Sequence, residues 1–457
     1  MKLREKLLLG IILFTGVCYS QADSIYSFSL EEAREYALSH NYEAQNALLD
    51  IKKSKKQVWE TTSMGLPQVS GSVSYQHIPG EIPTINFGEQ MLPLFVILDS
   101  LHPGAFDSFG DAMGSAESAI AVKNSTTYGL TVSQLVFSGE YIVGLQAAKT
   151  FLTLSENAKE KSDLDIKQTV SSSYYTILAL EKNKSILDTS IMNLKATLKE
   201  FRIMNKSGFI EDTEVDQIEL TLRNTENAAG TLEQHIELSY KLFKILLGLN
   251  LDASIELTQG FDEFLLSVDI EDPSYSDFNI SNNIDYKMLE AQERISELSL
   301  KRERAKYLPV VSAFYSYTDK TNKADFDFTI NHILGVNVNI PIFSSGQKHA
   351  QIQQAKIELE KTRNMKDMAE ENIMLSIQQA AFDLEKAIEK LKNEQFNIDL
   401  SKRIYQKTLI KHREGMASSL DLAQAHNQYL NSSSNYTNSI LEMLNAKLNY
   451  DKILNNL

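Results

Sequence analysis

Two acidic residues stand at matched places in this sequence, and their type and spacing invite a chemical reading. Counting from Gly208 in MNKSGFIEDTEVDQIEL and from Gly415 in KHREGMASSLDLAQAHN, the sixth residue is acidic (Glu214, Asp421). The ninth is glutamine (Gln217, Gln424). A glycine past the last turn ends a helix, and Asp212 or Ser418 can cap a helix returning from it. A carboxylate in that first turn stabilises the free amides and the helix dipole, which is the plainest role for Asp421. The remaining candidates carry less. The eight histidines are scattered without metal-ligand spacing, and His412 reads as a solvated residue at a helix end. Met204 and Met416 flank the two turns and could suggest export of a soft metal ion, but two methionines at packed turns are more often contacts. No phosphate-binding glycine loop and no nucleophile elbow occurs. The chain is therefore read as no enzyme, with no cofactor and no metal, and a partner must supply any energy. Trp59, the single tryptophan, reads as packing or as an interfacial anchor.

The elements that must place these residues begin after residue 20. Lys2, Arg4 and Lys6, the apolar run Leu7 to Phe14 and Cys18-Tyr19-Ser20 form a secretory signal peptide over residues 1–20. Cys18 leaves lipidation open as an alternative to simple cleavage, although Val17 is bulky for a lipoprotein signal. Cleavage near Gln21 leaves no cysteine, which removes disulfides, thiolate metal sites and thiol catalysis. The formal charge of −15 argues against nucleic acid as a partner. No later window has the ~20 apolar residues of a membrane helix. An exported chain of this kind is soluble outside the inner membrane, or spans a membrane as strands.

The rest reads as a tandem duplication, residues 21–249 and 282–457, joined by a linker at 250–281 that contains a strand-like ASIELTQ. Each copy opens with an amphipathic helix. The first starts at Ser29, with Glu32 at the capping-box position, and continues to about Ser63; the second follows Asn282-Asn283 and runs to Lys306. Both stop at Leu-Pro (Leu66-Pro67, Leu308-Pro309). A strand follows in each copy. Val69, Gly71, Val73 and Tyr75 match Val311, Ala313, Tyr315 and Tyr317 on one face, and Ser70, Ser72 and Ser74 match Ser312, Phe314 and Ser316 on the other. Such alternation suits a half-buried strand of a soluble sheet or a barrel strand between lipid and water. Four strands of about ten residues, each tied to a very long helix, favour the barrel.

The second strands, around Leu130 and Val132 and around Val336 and Val338, lead into those helices. The joints are LVFSGE, with Phe137 and Gly139, and IPIFSSGQ, with Pro341, Phe343 and Gly346. The first strand pair is separated by a long loop at 78–124 with an apolar patch (MLPLFVILDSL), read as facing outward. The second connection is short. Leu145 to Ser207 and Gln347 to Glu414 lack Gly and Pro, so each spans roughly 100 Å as a helix. Ile377, Leu384, Leu391, Ile398 and Tyr405 recur every seventh residue, a coiled-coil-like seam. Four strands cannot close a barrel, and an open edge cannot sit in lipid, so several chains must share one barrel.

The duplication, the Leu-Pro strand entries, the two joints with Ala148-Lys149 and Ala355-Lys356 beyond them, and the glycine-centred turns resemble the TolC-like outer-membrane efflux proteins over essentially the whole mature length. The resemblance implies a mainly α fold with membrane β. Tandem-duplicated strands would form a twelve-stranded barrel as a homotrimer in outer-membrane lipid, and very long helices an α-helical barrel across the periplasm of a Gram-negative-type bacterium. It implies a passive duct for small molecules or secreted polypeptides, working with a periplasmic adaptor and an inner-membrane transporter of RND or ABC type. It places adaptor docking at Gly208, Gly415, Arg413 and Ser418, and an entrance constriction at Asp421, Gln424, Glu214 and Gln217. Gln424 stands where some members have a second aspartate, and Ala417 where the family has a tip arginine. A double carboxylate ring and a closing salt-bridge network therefore do not carry over directly. Three Asp421 carboxylates around a trimer axis would attract cations. The reading from a different class is a soluble periplasmic coiled-coil scaffold or adaptor-like protein, although the compact domains that flank an adaptor's hairpin have no counterpart here.

Overall fold

Glycine, proline and capping residues set the element boundaries in this computed structural model, which describes residues 26–82, 84–101, 103, 117–119, 121–267, 278–324, 327 and 329–457. The signal peptide and Cys18 lie outside the described residues. The chain runs through β1 (Tyr26–Phe28), α1 (Leu30–His40), α2 (Tyr42–Ser63) and β2 (Gln68–His77). Next come β3 (Thr84–Asn86), α3 (Phe87–Leu101), β4 (Glu117–Ala119) and β5 (Asn124–Ser138), then α4 (Gly139–Lys206) and α5 (Asp212–Leu247). After β6 (Ile255–Leu257) and α6 (Phe261–Ser267) the plan repeats with α7 (Ile284–Ala305), β7 (Val310–Lys320), β8 (His332–Asn339), α8 (Gln347–Arg413) and α9 (Ser419–Ile453). The described residues fall into two units, one within residues 26–51, 155–289 and 366–457, the other within residues 52–154 and 290–365. Each sequence repeat contributes to both.

In the first unit, Ser29 and Glu32 close the expected capping box on α1. The helix expected to run unbroken to Ser63 is divided at Asn41. Its Oδ1 accepts from the Glu43 amide (2.7 Å) and its Nδ2 donates to the Leu246 carbonyl at the end of α5 (2.7 Å). Asn283 repeats the device, accepting from the Asp285 and Tyr286 amides and donating to the Ile453 carbonyl at the end of α9 (3.0 Å). One buried amide thus starts a helix and satisfies the frayed end of another, which overrides the helical pattern running through Asn41. The first part of the heptad seam packs as expected: Ile377 and Leu384 join Tyr174, Ile177, Phe243, Ile440 and Met443 in the main core, beside Ile388 and with Leu391 against it. Small buried side chains such as Ser171, Ser433, Thr437 and Ser439 let the helix backbones approach. The linker segment pairs as a strand, β6 lying parallel to β1.

The second unit carries an antiparallel sheet in the order β2-β5-β7-β8. Its register puts Val69, Val73 and Tyr75 on the same face as Tyr128, Leu130 and Val132. Val132 and Leu130 lie opposite Tyr315 and Tyr317, and Val311, Ala313 and Tyr315 lie opposite Val338, Val336 and Leu334. That apolar face is largely exposed. The opposite face bears Ser70, Ser72, Ser74, Thr131, Ser133, Ser312, Ser316, Asn337 and Asn339. β2 and β8 are edges within the chain.

The two joints, alike in sequence, differ in form. Ser138 and Asn339 both lie opposite Val310, so β5 and β8 end at one level. β5 is paired with β7 alone beyond Ser133, absorbs an extra residue in a bulge between Leu135 and Phe137 and passes directly into α4, where Ser138 Oγ accepts from the Tyr141 amide (3.2 Å). β8, paired on one side, gives way at Pro341, and α8 begins only at Gln347, after Ser345 and Gly346 at φ 48° and 83°. Within the 78–124 loop, β3 pairs with β4 and α3 carries much of the apolar patch, with Pro93 inside it. Among the described residues no helix is long and apolar enough to cross a membrane.

Candidate functional site

The two glycine-centred turns belong to the first unit, and the structure brings them together. Gly208 and Gly415 take the left-handed conformation (φ 77° and 72°). Each closes the same double hydrogen bond: Phe209 N to Met204 O (2.9 Å) with Gly208 N to Asn205 O (2.8 Å), and Met416 N to Lys411 O (2.8 Å) with Gly415 N to His412 O (2.9 Å). This is the Schellman termination, and a side chain at either glycine would strain the backbone. Phe209 and Met416, one residue on, are exposed, while Met204 is half-buried.

Beyond the turns the matched residues part company. Ser418 caps α9 and Asp421 completes its capping box: the carboxylate accepts from Ser418 N (3.0 Å) and Ser418 Oγ (2.8 Å), and the Asp421 amide donates back to Ser418 Oγ (3.2 Å). The backbone hydrogen bond from Ser418, then its side-chain bond, holds the exposed Asp421 carboxyl below its ordinary value of 3.8. At the first turn the cap is Glu211, whose side chain accepts from Thr213 Oγ1 (3.4 Å) and makes no capping bond with a helix amide. Asp212, expected as a possible cap, lies inside α5 and accepts from Asn205 Nδ2 (2.8 Å).

Glu214 caps nothing on its own helix. Its Oε2 accepts from Ser419 N (2.9 Å), from Ser419 Oγ and from His412 Nε2 (3.5 Å), so a carboxylate of the first repeat occupies the helix N-terminus of the second. Burial pushes the Glu214 carboxyl up, but the bonds from Ser419 and His412 outweigh it and hold the group below 4.5. His412, expected to be solvated, is only 5% exposed. Its ring stacks on Phe201 (4.4 Å between centroids) and its Nε2 lies 3.2 Å from Ser419 Oγ. The sequence held the signal: His412 stands seven residues past Tyr405, the last member of the seam. Ser419 and Phe201 had no such mark. Leu194, Leu198, Phe201, Ile218, Leu222 and Leu422 form a separate small core beneath the turns. Arg413 pairs with Glu200 (3.5 Å) at the surface, where such pairs contribute little. Gln217 is half-buried and Gln424 exposed.

Deeper in this unit His426 is fully buried. Its Nε2 meets Ser190 Oγ, its Nδ1 meets no hydrogen-bonding geometry among the described residues, and Tyr405 lies against its ring (5.5 Å). Burial depresses its pKa from 6.5 to about 4. Trp59, in the second unit, is exposed on α2 within the single chain. Among the described residues no group of three or more His, Cys, Asp or Glu is placed to hold a metal ion.

Residues 279–456 match the family model described as outer membrane efflux protein. No curated protein matches the chain. Solved structures match it over nearly its whole length. CusC, whose crystal structures concern folding and transmembrane channel formation, is 13% identical with TM-score 0.72, covering 93% of this chain and 92% of that one. The CmeC outer membrane channel of Campylobacter jejuni is 16% identical with TM-score 0.70, covering 93% and 85%. The outer membrane protein VceC of Vibrio cholerae is 14% identical with TM-score 0.67, covering 93% and 96%. At these identities the likeness establishes a shared fold.

Proposed function

From a chain that resembles the TolC-like outer membrane efflux proteins, in the sequence of its second repeat and in fold across both, we propose a passive outer-membrane conduit shared by three copies. The observation that carries this reading is the sheet. One face of the four strands is mostly apolar and exposed, the other bears mostly hydroxyls and amides with Leu135, Phe314 and Ile333 among them, and among the described residues both edges lack a partner within the chain. In water such a face would aggregate, and in lipid such edges would leave backbone groups unsatisfied. Closure with further copies removes both problems, placing the apolar face against lipid and the polar face around water. The long helices then continue the duct through the periplasm, and an adaptor and an inner-membrane transporter of RND or ABC type deliver small molecules or polypeptides to it.

In this reading the glycine turns form the periplasmic tip. Gly208, Gly415, Arg413 and Ser418 lie where the adaptor docks, and Asp421, Gln424, Glu214 and Gln217 line the entrance. Glu214 and Asp421 are both ionised at neutral pH, and Asp421 is the more exposed of the two, since Glu214 is turned to Ser419 and His412.

The test is the mass of the detergent-purified protein together with its conductance in a planar bilayer. A trimer with discrete openings supports the conduit. A monomer that stays in solution without detergent and conducts nothing refutes it and returns the chain to a periplasmic scaffold. On the same bilayers Asp421→Ala is expected to reduce cation preference. Unchanged selectivity would leave Asp421 as a helix cap alone.

A further inference from the structure

Closure with further copies makes a junction for which the chain already holds a template. β2-β5 and β7-β8 are the strand pairs of the two repeats, and β5 meets β7 where the repeats join. The two pairs share one register. Gly71 lies opposite Leu130 as Ala313 does Val336, and Val73 lies opposite Tyr128 as Tyr315 does Leu334. In a closed ring β8 meets β2 of the partner subunit, again the second strand of one repeat against the first of the next. A one-residue slip would turn the apolar face inward, so the register of this junction changes only in steps of two. The internal junction supplies the step, because the repeats match residue for residue: there Leu130 faces Tyr317 and Tyr128 faces Asp319. The matched positions set Val336 opposite Tyr75 of the partner subunit, and Leu334 opposite His77 of the partner subunit.

Two histidines then come together. His332 is two residues from Leu334 on the same face, which sets it diagonal to His77 of the partner subunit. Diagonal neighbours stand ~7–8 Å apart, closer at Cβ, within reach of two imidazoles sharing one ion. The same places at the internal junction hold Thr126 and Asp319, so the pairing belongs to the contact between copies alone. Both rings are oriented for a ligand. His77 Nδ1 lies 2.7 Å from Asn124 Oδ1, an acceptor, so the ring proton sits on Nδ1. His332 Nδ1 lies 2.8 Å from the Tyr315 hydroxyl, and the Tyr317 ring packs against it (5.0 Å between centroids). Neither Nε2 has a hydrogen-bond partner among the described residues. One ring nitrogen held by an oxygen, with the other bare, is the arrangement of a metal-binding histidine. The Asp319 carboxylate, further along β7, pairs with Lys323 (3.0 Å), which leaves two imidazoles as the donor set.

We propose that Nε2 of His332 and Nε2 of His77 of the partner subunit hold one divalent transition-metal ion, of zinc or nickel type, at each junction between copies. Two neutral imidazoles without a carboxylate favour such an ion over magnesium or calcium, which take oxygen ligands. The site lies at the loop end of the sheet, among Tyr75, Tyr315 and Tyr317, where water fills the other coordination positions. The ion clips neighbouring copies together at the rim of the barrel. This rests on the conduit reading, since the site exists only where copies join.

The test uses the untagged full chain in detergent, stripped with a chelator, and zinc as the probe. Equilibrium dialysis should find about one zinc per chain, and zinc should raise the temperature at which the oligomer dissociates. His77→Ala and His332→Ala should each lose the bound zinc and the temperature rise. Asn124→Ala should weaken binding by about 10- to 100-fold. Below about pH 6, where imidazoles take up a proton, both effects should vanish. The register is read separately: His77→Cys with Leu334→Cys, in a Cys18→Ser background, should link chains on oxidation, and neither single variant should. An oligomer that links in this way but binds no zinc overturns the site, as does zinc binding that survives both histidine variants; the conduit stands in either case. An oligomer that does not link refutes the register and the site with it. A protein that is monomeric throughout refutes the conduit reading itself. Should His77→Ala or His332→Ala fail to assemble, the glutamine variants are read in their place against the same expectations.

Discussion

Removing the Glu214 carboxylate should loosen the start of α9 while leaving the rest of the helical unit intact. Ser419 is 2% exposed and His412 5%, while the Glu214 side chain is 31% exposed, so water replaces the lost acceptor only in part. The Ser419 amide at 2.9 Å is the firm contact, and the His412 contact at 3.5 Å adds little. Hydrogen bonds to a charged acceptor contribute about 1.5–3 kcal/mol, and an orphaned buried donor keeps its desolvation cost. Glu214→Ala is therefore expected to lower the local opening free energy at the first turn of α9 by about 1–2 kcal/mol, roughly 5- to 30-fold in the opening equilibrium. Glu214→Gln, which keeps an acceptor without the charge, should lose about half as much. Amide hydrogen exchange on the detergent-purified protein reads this directly at residues 419–423, with the main core as an internal reference. Since the folded carboxyl is held below 4.5, the contribution is fully present above that pH and disappears as pH falls through the lower folded value. Unchanged protection at residues 419–423 in Glu214→Ala, at neutral pH, would refute the reasoning.

His426 should make the same unit acid-labile in a different window. A pKa depressed from 6.5 to about 4 means that stability is complete above pH 6.5 and is lost progressively as pH falls to about 4, by at most about 3 kcal/mol. Near-ultraviolet circular dichroism during acid titration should show that loss, and His426→Gln should abolish its dependence on pH in this window. In the sheet, a Cβ at Gly335 would sit 2.7 Å from the Phe314 ring. Gly335→Ala should cost about 1–3 kcal/mol, and Phe314→Ser, the residue the first copy has at Ser72, should recover most of it in yield of the detergent-resistant assembly. Gly208→Ala and Gly415→Ala meet no atom within 4 Å and should each cost about 1–2 kcal/mol through backbone strain alone. Faster exchange confined to their own turns would show this, and unchanged exchange would refute it.

The local physics of this fold was legible because it is written in short-range patterns. The period-2 runs gave both faces of the strands, and the register keeps the two copies' matched residues on matching faces. The absence of Gly and Pro gave α4 and α8 nearly to their ends. The Gly208 and Gly415 terminations and the Ser29 and Ser418 capping boxes were present in the sequence, since each involves residues within a few positions of one another. The break at Asn41 was hidden because its partner carbonyl, Leu246, is 205 residues away. The long loop was read as a loop because the pairing of β3 with β4 bridges positions that share no local signal.

What the sequence alone determined is thus the duplication, the alternating strands, the great length of the helices and the ends at which they turn. What only the tertiary structure decided is how two copies of one pattern come to do different things. Glu214 and Asp421 occupy equivalent places, yet one reaches the opposite repeat and the other its own cap. The two joints share a sequence grammar, yet β5 runs straight into its helix while β8 leaves a bare apolar segment. The reason is physical: repeats of one sequence do not share one environment. At its end β5 stays paired with β7 through a bulge up to Ser138, whereas β8 meets Pro341, which has no amide hydrogen to continue its pairing. A carboxylate binds whichever amide terminus packing brings within about 3 Å.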